Sequence, residues 1–155
     1  MLAKIPPKRR DGKSSFKKLT NYCLGISGHS KRAVLHVGMK NLNSPPEKAY
    51  LEVEGLSYEN ARCKNPAFHF ILSWRVEESS TNEQVYEAVN IALGELDLQE
   101  CQALWALQSD TDNLRVHVAV NQISTESCRA IKPAGGCTKK ALEQASRKIE
   151  ITQGR

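Results

Sequence analysis

The sequence has no run of apolar residues near the about 18 that a bilayer-crossing helix requires, so a helical membrane protein is excluded. It also has no C-x-x-C pair, and its five cysteines (23, 63, 101, 128, 137) are an odd number without framework spacing. Reduced thiols in a reducing compartment are expected. The first residues lack the apolar core of a secretory leader, because Pro6, Pro7, Lys8, Arg9 and Arg10 follow Ile5 directly. The expectation is a cytoplasmic chain with no membrane association. Internal repeats and low-complexity segments are missing as well, which excludes solenoids and fibrous classes. With 155 residues, 40% of them apolar and 25% charged, the chain reads as one compact domain over 1–155.

Charge is abundant but unevenly placed. The net +5 divides into +6 over residues 1–20, −6 over 21–128 and +5 over 129–155. A basic head and tail around an acidic body predict two positive surfaces for a polyanion, with binding that weakens as salt rises. Lys8, Arg9, Arg10 and Lys13 sit close together on a segment where Pro6 and Pro7 forbid a helix, so residues 1–13 read as an extended basic arm suited to phosphates.

Ser14-Ser15 offers an N-cap to a short helix with Phe16, Leu19, Thr20 and Cys23 on one face and Tyr22 near it. Residues 25–65 are rich in Gly, Ser, Asn and Pro, with Arg32–Val37 open between strand and helical turn and a helix-like stretch near 47–52. This segment reads as a long irregular insertion. Ala67–Trp74 is a short apolar run that predicts a strand. Overlapping capping boxes at Ser80/Glu83 and Thr81/Gln84 open a helix whose apolar face is Val85, Ala88, Val89, Ala92 and Leu93. Residues 101–108 form a further apolar run. Leu114–Gln122 alternates strictly, which predicts a half-buried strand with Arg115, His117, Ala119 and Asn121 on its second face. Turn residues at 110–113 join the two runs as an antiparallel hairpin that brings Gln108 close to Arg115 and His117. After Gly135-Gly136, Thr138 is placed to cap a basic helix that buries Ala141, Leu142, Ala145 and Ile149. This order predicts an α+β fold, an antiparallel central sheet with helices packed on it.

The hairpin, from Gln108-Ser109-Asp110-Thr111-Asp112-Asn113 through Arg115-Val116-His117 to Asn121, resembles the third motif of conjugative relaxases of the MobA type, HUH-superfamily nucleases that nick plasmid DNA at a transfer origin. Asp110, Thr111, Asn113, His117 and Asn121 fall on family positions, whereas Gln108 and Arg115 stand where the family has two of three metal-binding histidines. The helix ending Leu19-Thr20-Asn21-Tyr22 is similar to the first motif, and the strand ending Leu72-Ser73-Trp74 to the second. The resemblance implies a relaxase sandwich in which Tyr22 is the nucleophile, Asp110 and Arg115 belong to the catalytic set, and Ser73 and Asn121 join the arm in binding DNA. It also implies single-stranded or hairpin DNA as partner, accessory relaxosome proteins beside it, and a divalent Mg²⁺ or Mn²⁺ ion. His117 and Gln108 would form that metal site only weakly. Gln offers one carbonyl oxygen, but Arg has no lone pair and carries its own charge. The guanidinium could instead hold the phosphate bidentately. Two readings therefore stay open, a nuclease that is weak or metal-independent and a homologue that binds DNA without cutting it. A protein-interaction module would leave the basic ends unexplained. His69, between Phe68 and Phe70, is given no role.

Overall fold

A computed structural model describes residues 1–6, 15–26, 33–63, 65–109 and 113–154. Its centre is a five-stranded sheet in the order β1-β3-β5-β4-β2, formed by β1 (Leu2–Lys4), β2 (Ala33–Lys40), β3 (Ala67–Arg75), β4 (Cys101–Ser109) and β5 (Asn113–Ser124). Every pairing is antiparallel. Helices α1 (Phe16–Cys23), α2 (Ala49–Ser57), α3 (Asn82–Glu95) and α4 (Thr138–Thr152) pack on it, so the α+β expectation holds.

The sheet is covered on both faces. Phe70, Leu72, Trp74, Trp105, Val116 and Val118 point to one side and pack against α3 and α4. The helices bury the apolar stripes that their 3.6-residue period predicts, Val85, Ala88, Val89, Ala92 and Leu93 in α3 and Ala141, Leu142, Ala145 and Ile149 in α4. Leu104, Ala106 and Ala119 point to the other side, where Phe16 and Cys23 of α1 and Ala49 and Val53 of α2 close over them. The strand β5 is thus buried on both faces between Val116 and Asn121, not half-buried as its alternation suggests. Period 2 records which face carries polar groups, and the polar face here lies under helices.

The segment 25–65 is more regular than its composition implies. Within it β2 closes one edge of the sheet against β4, and α2 covers part of the second face. The reason lies in the partner strand, since Gly38 stands opposite Trp105 and a Cβ there would come within 2.3 Å of the indole. The glycine that weakens the strand as a local pattern is what lets it approach. The start of the arm likewise forms strand β1, three residues paired with β3 as Leu2↔Ser73, Ala3↔Leu72 and Lys4↔Ile71. Three residues are too few to show a period.

Caps separate the alternatives. Ser15 caps α1 by accepting the Lys18 amide at 3.1 Å. In α3 the box that forms is Thr81/Gln84, with both reciprocal bonds present. Thr138 is the first residue of α4 and not its cap, because Cys137 occupies that position without a side-chain bond.

Candidate functional site

Alternation along the strands puts one set of polar residues under α1. Ser73 of β3, Arg115 of β5 and Gln108 of β4 lie directly opposite one another, as Ser73↔Arg115 and Gln108↔Arg115, and so share the face on which α1 packs. His117 lies one step along the same face, opposite Ile71 and Ala106, and His69 follows opposite Ala119. The hairpin brings Gln108 to Arg115 as the turn residues predict.

Tyr22, on the last turn of α1, meets this face edge-on. Its ring centroid is 5.5 Å from that of His117 at 77° and 6.1 Å from that of His69 at 70°. The two imidazoles lie 5.3 Å apart, with His69 Nε2 and His117 Nδ1 at 3.1 Å, a hydrogen-bond distance. Burial pushes the His69 pKa down to about 4, so its ring is neutral at physiological pH. His117 is buried, while Tyr22, Ser73 and Arg115 are each partly exposed.

Gln108 does something that the sequence does not announce. Its Nε2 donates to the Cys23 carbonyl at 2.7 Å, tying the end of α1 to β4 immediately after Tyr22. The amide is buried and its Oε1 has no hydrogen-bond partner among the described residues. Gln108 therefore orients the helix that carries Tyr22.

The three family ligand positions do not fit a divalent ion here. Arg115 is a permanent cation without a lone pair, Gln108 offers only its amide Oε1, and His117 alone offers an imidazole. Among the described residues no group of three His, Cys, Asp or Glu side chains converges as a ligand set.

Asn121 is separated from this cluster. It lies six residues beyond Arg115, about 20 Å along the strand, opposite Ala67. It is fully buried, donating to Gln102 Oε1 at 3.0 Å and accepting from the Ile123 amide at 3.3 Å. Both functions of its side chain are thus used inside the protein. Lys8, Arg9, Arg10, Lys13 and Asp110 lie outside the described residues.

His69 is the residue that sequence reading missed. The signal was the alternation His69, Ile71, Ser73 along one strand face, the same kind of signal that selects His117. Only the register of β3 on β5 shows that the two histidines meet.

The family description "Relaxase: MobA/VirD2-like, nuclease domain" matches residues 22–155. The chain is 40% identical over 99 residues to protein MobA of Acidithiobacillus ferrooxidans, covering 64% of this chain and 24% of that protein. It is 34% identical over 128 residues to a protein TraI of Escherichia coli, covering 79% of this chain and 17% of that one. The chain thus spans a quarter or less of the length of these relatives. The match begins at Tyr22 and runs through the three strands that carry the other site residues to the closing helix, and by it the chain belongs to the MobA/VirD2-like relaxase nuclease family.

Proposed function

We propose that this chain processes single-stranded or hairpin DNA at a transfer origin, with Tyr22 attacking a backbone phosphorus to leave a 3′-hydroxyl and a 5′-phosphotyrosine. The observation that carries this reading is the convergence of Tyr22, His117, Arg115 and Ser73 on one sheet face beneath α1. A tyrosine hydroxyl has an unperturbed pKa near 10, so the reaction needs a proton acceptor and a positive group for the phosphate oxygens. Arg115 supplies the charge, with a guanidinium fork matched to two phosphate oxygens. Ser73, its cross-strand partner, would donate a hydroxyl to the same phosphate. Asp110, at the hairpin turn, completes the catalytic set that family membership suggests. No step passes through a metal, because the donor set does not suit one.

The DNA would run over the α1 face, with Lys8, Arg9, Arg10 and Lys13 of the arm, which lie outside the described residues, as further phosphate contacts. The basic C-terminal helix packs on the opposite face of the sheet, against α3, and its Glu150 pairs with the Met1 amino group at 2.9 Å. Inside a bacterial cytoplasm, accessory relaxosome proteins would deliver the origin in single-stranded form.

Binding without cutting is the second reading, favoured by Arg115, a cation without a lone pair, standing where the family has a ligand. Incubating the protein with single-stranded origin oligonucleotides, in Mn²⁺ or in EDTA, separates the two. A covalent protein–DNA band that persists in EDTA and disappears in Tyr22→Phe is expected. Tight binding with no band under either condition assigns the chain to the second reading. An adduct on Tyr50, Tyr58 or Tyr86 removes Tyr22 from its role.

A further inference from the structure

We propose that Lys4, on the edge strand β1, is a DNA-binding residue of the same site, its ammonium holding the backbone phosphate next to the one that Tyr22 attacks. Its place beside Tyr22 rests on the proposed reading of that residue as nucleophile, whereas the phosphate contact does not.

The sheet register brings Lys4 to the site. Residues paired across antiparallel strands project to the same face, so Leu2 lies beside Ser73 and Lys4 beside Ile71, on the face where α1 packs. Ala3, between them, points the other way and packs against the core under α3 and α4. The pairing continues from Ile71 to His117, which makes Lys4, Ile71 and His117 one row across three strands. Lys4 thus stands two strand spacings, about 10 Å, from the histidine that the Tyr22 ring meets. It is also the diagonal neighbour of Ser73, at about 7–8 Å. A flexible four-carbon stem covers much of either gap.

This margin of the face is open. Leu2 is 61% exposed and Lys4 is exposed as well. In the direction of β4 the same face is closed, because α1 and α2 pack over Leu104, Ala106 and Ala119. A DNA backbone whose phosphate meets Tyr22, Ser73 and Arg115 therefore finds room toward β1, and Lys4 is the cation it meets there. The charge is not already used: among the described residues the Lys4 ammonium has no hydrogen bond or ion pair. Glu150, the carboxylate that α4 brings to the start of the chain, is taken by the Met1 amino group at 2.9 Å. Lysines on edge strands also keep sheets from pairing with one another, a role that needs the charge but no DNA.

A series of single-stranded origin oligonucleotides, each with one phosphate replaced by an uncharged methylphosphonate, separates the two roles. With the parent protein several replacements should weaken binding. In Lys4→Gln one of them should cease to matter, and the slope of log affinity against log salt should fall by about 0.7, the share of one phosphate on a single strand. Lys4→Arg should restore both. The position silenced in Lys4→Gln should lie next to the phosphate recovered on Tyr22 in the covalent adduct. Acetylation of Lys4 in the parent, read by mass spectrometry, should slow several-fold when the oligonucleotide is bound, which reports the contact without any substitution. Unchanged affinity and salt slope in folded Lys4→Gln, or undiminished acetylation, overturns the proposal and leaves Lys4 as an edge-strand charge. A silenced position remote from the adduct phosphate overturns its place beside Tyr22. If no adduct forms, the nucleophile reading fails separately, and the methylphosphonate map and the acetylation still decide whether Lys4 holds a phosphate.

Discussion

At the scale of the residue, the site is held by groups whose value comes from what they touch. Gln108 carries two opposing terms, a bond to the Cys23 carbonyl and a buried Oε1 without a partner. Replacing it with methionine leaves the carbonyl unbonded, at about 1–3 kcal/mol, but removes an orphaned oxygen that costs a similar amount. Global stability of Gln108→Met should therefore shift by less than about 1 kcal/mol in urea unfolding. Amide exchange in the last turn of α1 should quicken, and a uniform loss of protection across the sheet would contradict this. His69 sets a pH dependence. Its pKa falls from 6.5 to about 4 on folding, so below 6.5 the unfolded chain binds a proton that the folded one refuses. This share of stability is complete above pH 6.5 and declines as pH falls to about 4, by at most about 3 kcal/mol. Unfolding midpoints at pH 7.5 and pH 4.5 should differ less in His69→Gln than in the parent. An identical difference would place the acid sensitivity elsewhere.

At the scale of the element, the edge strand β2 shows how a partner decides a structure. Gly38→Ala would drive a methyl into the Trp105 indole, and overpacking of this kind costs about 1–3 kcal/mol. Denaturant titration of the variant should show that loss, and an unchanged midpoint would mean that β2 can slide away from Trp105. The cap of α3 is a separable local device. Thr81→Ala removes the acceptor for the Gln84 amide and should lower stability by about 1 kcal/mol, in the same titration. Since these sites lie on different elements and share no partner, the double variant should lose close to the sum of the two.

At the scale of the whole molecule, the sheet separates the basic helix α4 from the face that carries Tyr22. The stripe Lys139, Lys140 and Arg147 is exposed on α4, which packs on the face opposite Tyr22. Neutralising Lys8, Arg9 and Arg10 should weaken binding of a single-stranded oligonucleotide and lower the slope of log affinity against log salt by about 2, at roughly 0.7 per phosphate contact. Neutralising Lys139, Lys140 and Arg147 should leave the slope for a short oligonucleotide nearly unchanged. Fluorescence anisotropy over a salt series measures both. Equal effects of the two triple variants would show that DNA wraps around the sheet edge to reach α4.

Local rules carried far in this chain. Helical period and capping chemistry specified α1 and α3, helical period alone specified α4, strict alternation specified β5, and the turn at 110–113 specified the hairpin with Gln108 beside Arg115. These properties depend on neighbours a few residues away, and the sequence states them directly. The motif order pointed to the relaxase family, and with it to Tyr22 and Ser73, which no local pattern would have singled out. Three matters depended on contacts between residues far apart in the chain. Gly38 made a strand of a glycine-bearing segment because the large indole of Trp105 faces it across the register. Asn121 was withdrawn from the surface because helices cover the second face of β5 and Gln102 lies within reach of its amide. His69 joined His117 and Tyr22 because β3 pairs with β5 in one register and not its neighbour, and a shift of one residue would have turned that imidazole to the opposite face of the sheet.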